Sequence, residues 1–237
     1  MSLRDVFDRL ADRFRPQGRG GAPALPRECP ICGYHGVFAS AGQPPRPDAR
    51  CPKCRSRERH RLIHLFLERR GLDLADGRAI LHFAPEKHFV ERYGALQSYD
   101  TADITPGKAK LTLDIQKIAR PDESYDVVIA NHVLEHAPDD RAALKEIWRV
   151  LKPRGFALLT APQNWARAET YENAAASTPA ERFAHYGDHL HVRLYGRDFV
   201  ARIGEAGFAV EAFRLNPEEE VRYGLRREDV LYIAEKR

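Results

Sequence analysis

The stretch Ser124–Gln163, SYDVVIANHVLEHAPDDRAALKEIWRVLKPRGFALLTAPQ, decides the fold of this chain. Tyr125 and Asp126 open a near-continuous apolar run, Val127, Val128, Ile129 and Ala130, the pattern of a strand buried on both faces in a parallel sheet. The run gives way to Asn131 and His132, then Glu135 and His136, where a parallel strand releases its chain into a cleft. Pro138, Asp139 and Asp140 restart the chain as a helix, with Ala143, Leu144, Ile147, Val150 and Leu151 at helical spacing. Lys152-Pro153-Arg154-Gly155 stops that helix, and Phe156 to Thr160 forms the next buried strand. Strand, helix and strand in this order are half of a doubly wound α/β domain with polar groups at its carboxyl edge.

A chain of 237 residues holds one such domain and a small appendage. Hydrophobic residues make up 43% and charged residues 30%, as in an ordinary soluble globular protein, and no apolar run is long enough to span a membrane. Met1 to Arg4 leads into a charged helix and lacks the apolar centre of a secretory signal, so cytoplasmic location is the default expectation. The formal charge of +4 is mildly basic. Basic residues gather between Arg46 and Arg70, where they either touch phosphates or form a solvated face; no interleaved aromatic residues offer stacking platforms.

Leu3, Val6, Phe7, Leu10 and Phe14 predict an amphipathic helix over residues 2 to 15 that packs on its own domain or on a second subunit; Asp5, Asp8 and Asp12 weaken a membrane reading. Pro16 to Pro26 reads as a linker. All four cysteines follow, as Cys29-Pro-Ile-Cys32 and Cys51-Pro-Lys-Cys54. Two CxxC turns bring four thiolates to the corners of one tetrahedron, which suits a closed, structural zinc site better than disulfides in an intracellular chain. Ser56 is expected to cap a helix from Arg57 to Arg70, where His60 and His64 are packing or surface residues.

Ala79 to Phe83 predicts the first strand of the larger domain, followed by Ala84-Pro85-Glu86 where a nucleotide-binding fold carries glycines. Their absence counts against a dinucleotide oxidoreductase, whereas a cofactor without phosphates does not need them. The second strand ends at Asp103, suited to accept hydrogen bonds from both hydroxyls of a ribose, with Asp100 as its competitor. The third ends at Asp114-Ile115, a carboxylate beside an apolar side chain, suited to an adenine amine and ring face. Residues 163–195 form an insertion with little periodicity, carrying Tyr171 and the run from His185 to Arg193. Two closing strands run from Phe208 to Leu215 and from Asp229 to Glu235.

These residues resemble a class I S-adenosylmethionine-dependent methyltransferase of the methyltransferase-11 type, through SYDVVIANHVLEHAPDD and RVLKPRGFALLTAP. The fold this implies is a doubly wound, seven-stranded Rossmann-like sheet with strand order 3-2-1-4-5-7-6. ILHFAPE, TADI, TYEN, HVRLYGRDF and CPKCRSRERHRL resemble a narrower bacterial subgroup in which a zinc ribbon precedes that domain. The resemblance implies S-adenosylmethionine as cofactor, with Phe83, Ala84, Pro85 and Glu86 in its first loop. Asp103 matches the ribose acid, Asp114 and Ile115 the adenine site, and Asn131 and His132 the edge beside the methyl group. Arg154 replaces a usual glycine, a turn substitution expected to be tolerated.

Methyl transfer from a sulfonium needs a held acceptor and, where the acceptor is protonated, a base; histidine suits that work near neutral pH. Candidates are His132, His136, His185, His189 and His191, each of them otherwise a hydrogen-bonded or cleft-lining histidine; Arg193 either anchors an anionic group or pins the insertion to a Glu or Asp, and Tyr171 either lines the acceptor pocket or packs. The expected organisation is residues 1–26 as helix and linker, 27–71 as zinc ribbon and connecting helix, and 72–237 as methyltransferase domain. The expected acceptor is a small molecule meeting a monomer or homodimer. An RNA or protein acceptor gripped by the ribbon is the alternative, and a scaffold protein without catalysis is a third reading.

Overall fold

The computed structural model describes residues 25–42 and 45–237. The expected N-terminal helix over residues 2 to 15, and most of the linker after it, lie outside the described residues. Two short antiparallel ladders build the cysteine-rich module: β1 (Arg27–Glu28) with β2 (His35–Gly36), and β3 (Ala39–Ala41) with β4 (Arg46–Arg50). Helix α1 (Glu58–Arg69) follows. Ser56 does not cap it, since Arg57 holds that position; the Ser56 hydroxyl turns to the sulfurs, 3.4 Å from Cys29 Sγ and 3.2 Å from Cys54 Sγ.

The central sheet contains β5 (Ile80–Phe83), β6 (Tyr99–Asp103), β7 (Leu111–Thr112), β8 (Tyr125–Asn131), β9 (Leu151–Thr160), β12 (Ala209–Phe213) and β13 (Leu231–Glu235). Its order is β7-β6-β5-β8-β9-β13-β12, and only the pairings of β13 are antiparallel. Counted along the chain, those strands read 3-2-1-4-5-7-6, as the resemblance implies. The chain winds outward through β6 and β7, then restarts at β8 on the other side of β5. The crevice between β5 and β8 is therefore the topological switch point, where open α/β sheets bind ligands.

Between the strands lie α2 (Lys87–Tyr93), α3 (Asp140–Val150), α4 (Pro179–Tyr186), α5 (Phe199–Glu205) and α6 (Pro217–Tyr223). The Asp139 side chain accepts from Ala142 N at 2.9 Å and starts α3, worth about 1 kcal/mol. Ala143, Leu144, Ile147 and Val150 of α3 are buried against one sheet face with Tyr195 and Phe199. The other face is covered by Leu62, Ile63, Phe66 and Leu67 of α1, packed on Ile80, Val127, Ile129 and Leu231. The helix expected to connect the ribbon is thus part of the sheet's own core.

Two helices were not foreseen. The insertion contains α4, with a reciprocal cap between Thr178 and Glu181, Pro179 in its first turn and left-handed Gly187 at its end. The charged connection between the closing strands contains α6, capped in the same way by Asn216 and Glu219. Arg154 adopts φ +65°; its N–H donates to Lys236 O at 2.8 Å, and Lys236 N returns a bond to Gly155 O at 2.9 Å. The last strand's exit locks that turn in place.

Candidate active site

At the carboxyl end of β5, Ala84 takes φ +47°, the left-handed conformation for which glycine is the usual choice, at a cost of roughly 1 kcal/mol. Its N–H donates to Ala102 O at 2.8 Å, which holds the loop against β6. The Glu86 side chain turns inward. It accepts from His82 Nε2 at 2.9 Å, Asn131 Nδ2 at 3.3 Å and Arg59 Nε at 3.1 Å, and lies 3.2 Å from His60 Nε2. Burial alone would raise its pKa, but hydrogen bonds from His60 and His82 hold the carboxyl well below its ordinary value. Arg59 and His60 come from α1, so the helix following the cysteines reaches the first loop of the sheet domain. The sequence reading missed both, because nothing in local spacing pairs residue 59 with residue 86.

Asp103 stands half-buried at the end of β6. Its Oδ1 accepts from Thr105 N at 2.7 Å, while Oδ2 has no bond among the described residues. Asp100 accepts from Tyr125 OH at 2.9 Å, at the opening residue of β8 and away from the carboxyl edge, so Asp103 is the acid at the cleft. Next to it Ile104 is 67% exposed, an apolar surface that the sequence reading passed over. Asp114 is engaged by Gln116, through its backbone N at 2.9 Å and Nε2 at 3.1 Å, and Ile115 is buried.

At the carboxyl end of β8, Asn131 is 3% exposed, held between Glu86 and the Thr160 hydroxyl at 3.2 Å, so its side chain braces the strand ends. His132 takes φ +53°, a second left-handed residue without a glycine. The short 3-10 turn Leu134–His136 then buries Glu135, 1% exposed. His132 Nδ1 lies 3.3 Å from Glu135 Oε1 and His191 Nε2 3.9 Å from it, and the His136 ring packs edge-on to His191 with centroids 4.7 Å apart. Burial would raise the Glu135 pKa; the His132 imidazole, then His136 and His191, bring it below its ordinary value. Burial lowers the pKa of His191. Glu135 was quoted in the deciding stretch but not carried among the site residues, although it sits three residues after His132 and directly before His136.

His191 arrives from the insertion, just ahead of β11 (Arg193–Leu194), which pairs with β10 (Tyr171–Glu172). Val192 N donates to Glu135 O at 2.9 Å. Arg193 is 3% exposed: its guanidinium donates to Leu134 O at 2.8 Å, to Ala137 O, to Pro138 O at 2.9 Å and to Glu172 at 2.7 Å. Four of its five N–H groups donate to the protein, and Arg193 thereby clamps the insertion to the turn after β8. Asp140 and Arg202 extend the clamp, with Tyr195 OH donating to Asp140 at 2.8 Å and Arg202 to Glu172 at 3.1 Å.

Tyr171 OH meets His185 Nδ1 at 2.9 Å within the insertion. His189 bonds Pro179 O at 3.0 Å and stacks on Phe183, outside the Glu135 group. Of the expected catalytic set, the structure brings together His132, His136 and His191. Tyr171, His185 and His189 form contacts of their own.

Cys29, Cys32, Cys51 and Cys54 bring their sulfurs within 4.8 Å of one another, and none is in a disulfide. Cys29 Sγ is 3.5 Å from Cys54 Sγ, and Cys32 Sγ is 3.7 Å from Cys51 Sγ. Four thiolates at about 2.3 Å from one zinc ion would stand about 3.8 Å apart, so the donor set fits a tetrahedral zinc-ribbon site. Arg61, fully buried, joins this module to the sheet domain. It donates to Ser56 O at 2.8 Å, Tyr223 O at 2.8 Å and Gly224 O at 2.7 Å.

A family described as "Methyltransferase domain" matches residues 82–159, from β5 to the end of β9. A sterol 24-C-methyltransferase of Aspergillus fumigatus is 38% identical over 60 residues, 25% of this chain and 15% of that sequence. The chain thus spans well under a fifth of that curated relative. Among solved structures, the YcgJ protein of Bacillus subtilis aligns with TM-score 0.50 at 15% identity, over 75% of this chain and 99% of its own. The Burkholderia thailandensis 1,6-didemethyltoxoflavin-N1-methyltransferase aligns with TM-score 0.50 at 12% identity, over 76% and 78%. Residues 82–159 thus match a methyltransferase domain, within a sheet whose strand order is that of the class I methyltransferase fold, and a four-cysteine module consistent with a zinc ribbon precedes them.

Proposed function

We propose that the chain is an S-adenosylmethionine-dependent methyltransferase acting on an oxygen, nitrogen or sulfur atom of a small molecule, with zinc holding its ribbon together. The observation that carries this reading is the pairing of two features across the switch point. On one neighbour of β5, Asp103 keeps a carboxylate oxygen without a bond; on the other, His132 stands at the rim of a buried carboxylate.

When bound, the cofactor supplies an electrophilic methyl group. Asp103 accepts the ribose hydroxyls, exposed Ile104 offers an apolar face to the adenine, and Asp114 exchanges Gln116 for the adenine amine. Left-handed Ala84 turns the first loop without glycine. His132, with its side chain 35% exposed, takes the acceptor's proton, and the Glu135 carboxylate steadies the resulting imidazolium. The insertion, clamped by Arg193, covers this end and excludes water.

The polymer reading loses much of its electrostatic support. Arg46 pairs with Glu58, Arg59 with Glu86, Arg69 with Glu219 and Arg70 with Glu211, while Arg61 is buried on carbonyls. A basic stretch so extensively neutralised has few charges left for phosphates. Calorimetry of the zinc-loaded chain with S-adenosylmethionine, followed by mass spectrometry of small-molecule products, tests the proposal. Binding and a methylated metabolite are expected. Absence of binding would sink every enzyme reading, and salt-sensitive RNA association with RNA methylation would replace the small-molecule acceptor with a polymer.

A further inference from the structure

We infer that Glu135, His136 and His191 form a second metal centre, separate from the cysteines, that takes a divalent transition ion at the acceptor end of the cleft. One donor atom from each lies within 4.8 Å of the others. An ion at about 2.1 Å from each donor needs them roughly 3–4 Å apart, so small rotamer changes close the set.

The carboxylate itself points to a cation. Glu135 is 1% exposed, yet neither of its oxygens has a hydrogen-bond partner among the described residues, and His191 Nδ1 is likewise buried without one. A carboxylate without bonds in the interior is costly, and buried polar groups are normally satisfied. No arginine or lysine among the described residues reaches it; its ion-pair partners are His132 and His191. Nearby Arg193 is turned away onto Leu134, Ala137 and Pro138 carbonyls and onto Glu172.

The ligands are held in place before any ion arrives. Glu135 and His136 sit on a turn whose carbonyls are fixed by Arg193, and His191 is delivered by the segment that donates Val192 N to Glu135 O at 2.9 Å. Ligands fixed by surrounding bonds lose little on coordination. Two imidazoles and one carboxylate suit zinc or ferrous iron, and poorly suit magnesium or calcium, which prefer all-oxygen sets. Unlike the four-cysteine set, three protein ligands leave coordination positions open. One carboxylate oxygen can bind the ion while the other keeps its approach to His132.

The role of the ion rests on the methyltransferase reading above. An open position beside His132 suits an acceptor hydroxyl or thiol, whose acidity a bound cation raises. The proton passes to His132, the acceptor's lone pair forms the new bond to the methyl carbon, the carbon–sulfur bond breaks, and the ion's oxidation state does not change.

The test is metal content of the full chain after reconstitution with excess zinc and desalting, with cobalt titration of the full chain whose ribbon already holds zinc as the spectroscopic arm. Two equivalents are expected in wild type and one in Glu135→Gln and in His191→Ala. Cobalt should add weak visible bands without thiolate charge transfer. One equivalent in wild type, or two retained in both variants, overturns the inference. Should Glu135→Gln fail to fold, His191→Ala and His136→Asn carry the same comparison. Calorimetry with S-adenosylhomocysteine on the same samples separates the two ideas. Cofactor binding with a single metal ends the metal centre alone, while two metals without cofactor binding end the methyltransferase reading.

Discussion

Arg59 Nε lies 3.1 Å from Glu86 Oε1, and that bond carries a residue of α1 into the loop where related folds place glycines. The guanidinium's two terminal nitrogens have no bond among the described residues. On the cofactor binding proposed above, they would receive the carboxylate of the cofactor's amino-acid portion in place of loop amides. Arg59→Gln is therefore expected to weaken S-adenosylmethionine binding ten- to a hundredfold, since hydrogen bonds to charged groups are worth about 1.5–3 kcal/mol. Calorimetry beside a thermal melt checks it; a lowered melting temperature with unchanged affinity would make Arg59 purely structural.

Asp103→Ala should weaken cofactor binding markedly and leave the melting temperature nearly unchanged, because the side chain braces only Thr105 N. Isothermal titration with S-adenosylhomocysteine measures this. Unaltered affinity would move the ribose contact elsewhere on the edge.

Arg193→Met should destabilise the fold by about 3–5 kcal/mol, as it removes a buried guanidinium from the Leu134, Ala137 and Pro138 carbonyls and leaves Glu172 to Arg202 alone. Denaturant unfolding gives the value. Limited proteolysis should cut first within residues 163–195, where the clamp releases the insertion; equal protection of that segment in both proteins would argue against the clamp.

Stability should fall on acidification. Burial, and the neighbouring His60, depress His88 to about 3 from an ordinary 6.5. The unfolded chain therefore takes up this proton first, and the stability present above about pH 6.5 is lost as pH falls toward 3. Glu86, also held down, adds a second loss below about pH 4.5. Melting temperatures from pH 7 to 4 should drop less in His88→Gln than in wild type. Parallel curves would show that His88 titrates freely.

Removing zinc should cost more than the ribbon. Arg61 ties Ser56 O to Tyr223 O and Gly224 O, so loss of the four-cysteine centre frees one anchor of a buried guanidinium that also steadies the end of α6. Cys51→Ser, or chelation, should lower the melting temperature of the whole chain in one transition. Two separate transitions would indicate independent modules.

The parallel core was legible because its signals are local. Val127 to Ala130 and Phe156 to Thr160 are apolar runs bounded by turn residues, and Asp103 and Asp114 follow strands in a repeating order. The paired cysteines were legible for the same reason, since CxxC spacing itself dictates a shared centre. Helices α4 and α6 carried readable caps at Thr178 and Asn216 but little apolar periodicity, so periodicity alone passed over them.

What the amino-acid order determined by itself was the winding of the sheet, the cysteine tetrad and the acids at the carboxyl edge, all written within a few residues of chain. Only the tertiary structure decided which side chains face one another over long separations. It set Arg193 on Glu172 and on the carbonyls after β8, brought Arg59 and His60 to Glu86, and set His191 against Glu135. Those pairings depend on how the insertion and α1 pack against the sheet, and packing direction leaves no periodic trace in a single sequence.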